Sequence, residues 1–263
     1  MECDNQSKDR AGGDKVISIQ QLRRIGQKTG LNLYQQEKDY LLKLFLYSYF
    51  KKFDDAVFKG GTCIKYLFGL DRFSEDLDFN IIISPEKFRE QVKKTLKEIN
   101  LMGIKTHFIR EEMFKESFTC EIGFRGPLYK GTKQTRNKIR IDAGKRTGTI
   151  KDPEWRLIGS EYPETREYFL VKMMNEEEIV VEKIIALMER NKGRDLYDLW
   201  FMLKKGVIVN RELFDKKNSS QQIDWSRFPS EREYNRDLEK LTGRIIPFKQ
   251  VISDIKEKLK TLS

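Results

Sequence analysis

A single histidine, His107, stands among 263 residues. A histidine-ligated metal centre or a Ser-His-Asp triad would have to be built on it. It lies in the alternating stretch GIKTHFIR (103–110), which reads as an ordinary strand. Cysteine is equally scarce. Cys3, Cys63 and Cys120 are far apart and form no CxxC pair, so neither a zinc site nor a disulfide framework is suggested. A reduced, cytoplasmic protein fits that usage best. Long apolar runs are missing too, and none reaches the length of a membrane span. The polar opening MECDNQSKDRAGGDK has no apolar core for a signal peptide, and residues 1–16 read as a flexible tail. There is no acidic excess: 51 Lys and Arg face 41 Asp and Glu, a net charge of +10. Such a balance favours anionic partners (nucleotides, RNA, DNA or acidic membrane surfaces), or else serves solubility alone.

What is present is a sequence of well-punctuated elements. Ser18 can cap a helix that Gly30 stops, and Asn32 can cap a longer one from Leu33 to about Lys52. AVFKGG reads as a short strand breaking at glycines, TCIKYLFGL as a helix starting at the glycine pair, and DLDFNIII as a buried strand. Ser84-Pro85 opens a helix that runs to about Asn100. GIKTHFIR, SFTCEIGFRG, NKIRIDAG and EYFLVKMM read as further strands. After about residue 175 the patterns are helical: EEEIVVEKIIALMERN, GRDLYDLWFMLKKG, NRELFDKK and IPFKQVISDIKEKLK. The fold class expected is α/β (α+β), a mixed sheet flanked by helices over 17–175. A helical domain over 176–263 is expected to follow and to close on a shared cleft.

The chemistry concentrates in FKGGTCIKYLFGLDRFSEDLDFNI (58–81). Strand alternation points Asp76 and Asp78 to one side, with Cα atoms about 6.5 Å apart, and Leu77 and Phe79 to the other. Two carboxylates so placed repel unless a cation joins them, and hard divalent ions such as Mg²⁺ or Mn²⁺ prefer oxygen ligands. Gly60 and Gly61 let the backbone approach a ligand. A helix opening there presents free N–H groups and a positive dipole end, with the Thr62 hydroxyl beside them, a setting suited to a triphosphate. The plainer alternative is a glycine turn followed by a solvated acidic strand end.

A third acid is offered by KIRIDA, where Ile139 and Ile141 face one side and Lys138, Arg140 and Asp142 the other. Asp142 is either a third metal ligand or a strand-end acid paired with Arg140 or Lys145. From Tyr129 to Lys151 there are eight Lys or Arg residues and one acid, either a solvated basic loop or an RNA-binding rim. Lys183 sits among apolar neighbours in IVVEKIIALM, so its ammonium needs a partner. Asp195 and Asp198 in the next helix, with Arg190 and Arg194 nearby, supply either an internal salt bridge or one wall of a phosphate-binding cleft.

KGGT…RFSEDLDF, followed far downstream by EKIIALMERNKGRDLYDLW, resembles the AbiEii/AbiGii nucleotidyltransferases. These are toxins of type IV toxin–antitoxin systems, include the MenT toxins, and belong to the DNA polymerase beta-like nucleotidyltransferase superfamily. The resemblance spans roughly Phe58 to Leu203. It implies Mg²⁺-dependent transfer of a nucleoside monophosphate from an NTP to an acceptor hydroxyl, the tRNA 3′ end in MenT relatives, and a cognate antitoxin protein as partner. It implies metal binding by Asp76 and Asp78, with Asp142 placed beside them by strand context. Catalytic roles are implied for these three acids and for Lys183 and Asp195. Substrate contacts are implied for Lys59, Gly60, Gly61, Thr62, Ser74, Arg190, Arg194 and Asp198. Rival expectations are a same-fold transferase acting on a protein or small-molecule hydroxyl, and a nucleotide-binding regulator without catalysis. A DxD glycosyltransferase would need a nucleotide-sugar domain upstream, for which the short helical start leaves little room.

Overall fold

The computed structural model describes residues 16–145, 148–218 and 223–260. Cys3, most of the expected N-terminal tail and Arg146 of the basic loop lie outside them. Two helices come first, α1 (Ile19–Thr29) and α2 (Leu33–Phe50), each opened by a capping box, on Ser18 and on Asn32. Then follow β1 (Ala56–Lys59), α3 (Gly60–Phe68), β2 (Asp76–Ile81) and α4 (Pro85–Leu101). Next come β3 (Lys105–Met113), β4 (Ser117–Arg125), β5 (Asn137–Gly144), β6 (Glu154–Gly159) and β7 (Tyr168–Met173). The remaining α-helices are α5 (Glu176–Arg190), α6 (Gly193–Lys204), α7 (Arg211–Asn218), α8 (Glu231–Leu238) and α9 (Phe248–Lys258).

The seven strands form one mixed sheet in the order β3-β4-β5-β2-β1-β7-β6. β2 is antiparallel to β1 and parallel to β5, and both ladders are in register over several residues. One face of the sheet is covered by α2 and α4 through an aromatic cluster. Tyr49 and Phe88 meet Phe79 of β2, and Phe88 also meets Phe118 of β4. Leu77, Phe79, Ile139 and Ile141 are all buried, so alternation turns Asp76, Asp78, Arg140 and Asp142 to the opposite side. Hydrophobic burial thus fixes which way the acids point.

Two elements depart from the sequence expectation. β6, EWRLIG, pairs with β7 at the sheet edge although only Ile158 among its residues is buried. Its outward Trp155 and Leu157 are exposed, so its pattern is not the usual apolar-in alternation. α8, EREYNRDL, is polar apart from Tyr234 and Leu238, which are the residues it buries. Tyr234 packs so closely on Gly193 that a Cβ there would lie 2.5 Å from the Tyr234 Cα. Glycine at the start of α6 is what lets the two helices meet.

Candidate active site

The sheet face bearing the acids opens into a cleft of about 290 Å³. Gly61, Ser74, Asp76, Asp78, Asp142, Lys183, Arg190, Arg194 and Asp195 line it together with Arg72 and Arg140. Residues separated by more than a hundred positions therefore meet at one place. A larger cavity of about 740 Å³ lies behind Arg72 and Phe73, lined by residues such as Asp39, Lys43 and Lys65. It contains neither Asp76 nor Asp78, so size does not identify the chemical site.

The β2–β5 register sets Asp78 beside Asp142 and Asp76 beside Arg140. Among the described residues neither Asp76 nor Asp78 takes an ion pair or a side-chain hydrogen bond. Burial raises the Asp76 pKa, the charge of Asp78 adds to it, and the result is about 6. Asp78 is raised as well, chiefly by burial, with Asp142 adding and Lys183 opposing. Two partly desolvated, mutually repelling carboxylates without an ion pair among the described residues are a fit for a hard divalent cation.

Asp142 is held differently. Arg140 donates to it through Nε at 2.8 Å and Nη2 at 3.0 Å, and the Thr119 hydroxyl donates at 2.8 Å. The strand-end pairing with Arg140 is therefore present. No group of three His, Cys, Asp or Glu side chains that could hold a metal occurs among the described residues. Asp76 and Asp78 suit a cation as they stand, whereas Asp142 faces an arginine.

The glycine pair makes room for the protein's own side chains. Gly60 has φ +77°, and a Cβ on it would lie 2.1 Å from the Asp78 Oδ2. A Cβ on Gly61 would lie 2.6 Å from the Arg72 Nη2 and 3.0 Å from the Ser74 Oγ. The α3 N-terminus, with no side-chain cap, opens at this turn. Thr62 is fully buried, and its hydroxyl donates to the Asp76 carbonyl at 2.5 Å and meets the Ser74 Oγ at 2.9 Å. Lys59 is paired with Glu182 at 2.9 Å. Lys59, Gly60, Thr62 and Asp198 do not line the cleft, so the backbone of β2 and the position of Asp78 are what Thr62 and Gly60 serve directly.

The helical wall is an alternating chain of charges. Lys183 of α5 reaches Asp195 at 2.9 Å and Asp198 at 2.7 Å, both on α6. Arg190 grips Asp195 at 2.7 and 2.8 Å. Burial works against the Lys183 charge, but the two aspartates more than offset it and its pKa rises. Asp195 is pulled well below the usual carboxylate range by Lys183 and Arg190 despite its burial. The internal salt bridge between α5 and α6 thus exists and stands at the edge of the cleft. Arg194, exposed in the same cleft, makes no hydrogen bond or ion pair among the described residues.

Arg72 is the residue that sequence reasoning missed. Its guanidinium is 4% exposed and binds both oxygens of Asp198 at 2.6 Å. Nothing local in LDRFSED signals that pairing, since its partner is 126 positions away. His107 is exposed on β3, 3.0 Å from an Arg136 nitrogen and away from the cleft. Tyr129 of the basic loop has cationic groups of Arg125 and Arg136 over its ring.

The model of the nucleotidyl transferase AbiEii toxin family, of type IV toxin–antitoxin systems, matches residues 44–258. The chain belongs to this family of nucleotidyltransferase toxins. Among solved structures it is similar to MenT4, a nucleotidyltransferase toxin from Mycobacterium tuberculosis, with a TM-score of 0.65 and 16% identity. That alignment covers 94% of this chain and 89% of MenT4. It is also similar to JHP933 from Helicobacter pylori, with a TM-score of 0.59 and 19% identity over 88% of this chain and 93% of the other. At these identities the likeness shows the fold. No curated protein matches the sequence. No helix among the described residues is long and apolar enough to cross a membrane.

Proposed function

We propose that the AbiEii-family chain transfers a nucleoside monophosphate from an NTP to a hydroxyl at the 3′ end of tRNA, with Mg²⁺ or Mn²⁺ at Asp76 and Asp78. The observation that carries this reading is the pair of same-face carboxylates, without an ion pair among the described residues, next to an uncapped helix N-terminus and in one cleft with Arg194. Acids that hold no ion pair among the described residues, and an exposed guanidinium whose charge acts on Asp76, match a metal–triphosphate ligand.

The divalent ion, when bound, supplies positive charge at the reacting phosphate and its neighbouring oxygens. The chain's own residues do the rest. Asp76 and Asp78 would hold the ion, and the Gly60 turn keeps Asp78 in place. The backbone N–H groups at the start of α3 receive phosphate oxygens. Arg194, with Arg190 and Lys183 behind it, offsets the negative charge that builds on the departing pyrophosphate. Asp142 faces Asp78 across the strand pair and orients the attacking hydroxyl, and in that role it exchanges Arg140 for the incoming group. The basic β4–β5 loop, with Tyr129 between two arginines, suits an RNA acceptor through phosphate contacts and stacking. A protein kept in the cytoplasm beside a cognate antitoxin fits this activity.

The test is incubation with each labelled NTP in turn and purified tRNA. Wild type is expected to label tRNA, and Asp78→Ala to lose about 10²–10³-fold in rate. Labelling of protein instead of RNA, or equal rates in the two proteins, would tell against this reading.

A further inference from the structure

We propose that Arg72 is a positioning residue for the transfer reaction, a latch that sets α6 and Lys183 against the acid-bearing strand β2. This rests on the function proposed above and adds a residue to it. Arg72 lies in the loop four positions before Asp76 and holds Asp198 by two bonds of 2.6 Å, with both side chains nearly inaccessible. Asp198 in turn holds Lys183 at 2.7 Å. The guanidinium spends its remaining arm on the Phe73 carbonyl at 3.0 Å, so its fork is fixed at both ends.

Two neighbouring contacts dock the same loop. The Tyr197 hydroxyl of α6 donates to Asp71 at 2.7 Å, and the Phe73 N–H donates to the Leu241 carbonyl at 2.6 Å. Residues 71–73 are therefore clamped by α6 and by the turn after α8 shortly before the chain enters β2. Gly61 is the opening through which the Arg72 guanidinium passes, since a Cβ there would meet its Nη2 at 2.6 Å. Arg72 and Phe73 also form the partition between the cleft and the larger cavity. The geometry makes Asp198 the shared carboxylate between a cation of the sheet half and a cation of the helical half. Lysine cannot replace Arg72 here, because a single ammonium offers no planar fork to both oxygens.

Two variants separate positioning from mere support. Arg72→Lys keeps the charge and is expected to melt only a few degrees below wild type while kcat falls about tenfold or more, as with the loss of a group that orients a ligand-binding residue. In Arg72→Met/Asp198→Met the Arg72–Asp198 pair becomes apolar while Lys183 keeps Asp195, so less stability is lost than when Asp198 alone is changed. Its melting temperature is expected to lie above that of Asp198→Asn while kcat stays low and the KM for NTP changes less. Wild-type kcat in either variant overturns the proposal. A wild type that transfers nothing to RNA tells against the proposed function alone. The latch is then judged by hydrogen exchange over residues 71–78, where unchanged protection in Arg72→Lys overturns it.

Discussion

On β2, Asp76 and Asp78 stand side by side with no ion pair on either among the described residues. On α6, Asp195 and Asp198 between them hold Arg72, Lys183 and Arg190. Asp195 and Asp198 are fully buried and Asp76 and Asp78 half-buried at the cleft wall, so both pairs meet a desolvation penalty. One pair is neutralised within the fold, and its acid Asp195 is driven to a lowered pKa. The other is left repelling, and Asp76 is driven up to about 6. Under the proposed function, the difference is that between a joint within the molecule and a site that takes a charge from outside. Leaving repulsion in place is unfavourable for folding, and such arrangements persist where function requires them.

Breaking the saturated pair should have the largest effect on stability. Asp198→Asn leaves Arg72 and Lys183 facing an amide, and loss of one partner of a buried pair costs about 3–5 kcal/mol. Urea denaturation should show that loss in the midpoint, and a loss below about 1 kcal/mol would mean that the network contributes little to stability. The unsaturated pair should respond in the opposite direction and by less. Asp78→Asn removes one of two repelling charges, so without divalent ions it should melt higher by about 2–4 °C, the shift that ~1 kcal/mol gives in a chain of this size. A drop in melting temperature would mean that Asp78 is satisfied in a way its geometry does not show.

The contrast was only half legible in sequence. The strand pattern LDF, with Leu77 and Phe79 buried, dictates that Asp76 and Asp78 share a face, and the same logic places Asp142 on that face. Helix caps at Ser18, Asn32 and Ser84 mark three helix starts because their hydrogen bonds are local. Arg72 was hidden because its role depends on a carboxylate contributed by α6, and spacing along the chain carries no information about such a meeting. The Thr62 hydroxyl is spent on the Asp76 carbonyl and Ser74, which requires knowing how tightly α3 packs on β2. Edge strand β6 and helix α8 were hidden for a simpler reason. Each buries too few residues to show a period.

The most direct test is Mn²⁺ binding, followed by paramagnetic resonance, on wild type and Asp78→Asn between pH 5 and pH 8. The folded-state pKa of Asp76 is raised from 3.8 to about 6, so the folded protein retains a proton that the unfolded chain has released. This group's contribution to stability therefore falls as pH rises through that window, and cation binding, which needs the carboxylate, strengthens over the same window. Wild type should bind Mn²⁺ at pH 8, lose affinity as pH drops below about 6, and gain melting temperature from the ion only at the higher pH. Asp78→Asn should bind weakly at every pH. Equal binding by the two proteins, or binding that ignores pH, would contradict the claim that this strand pair is the cation site.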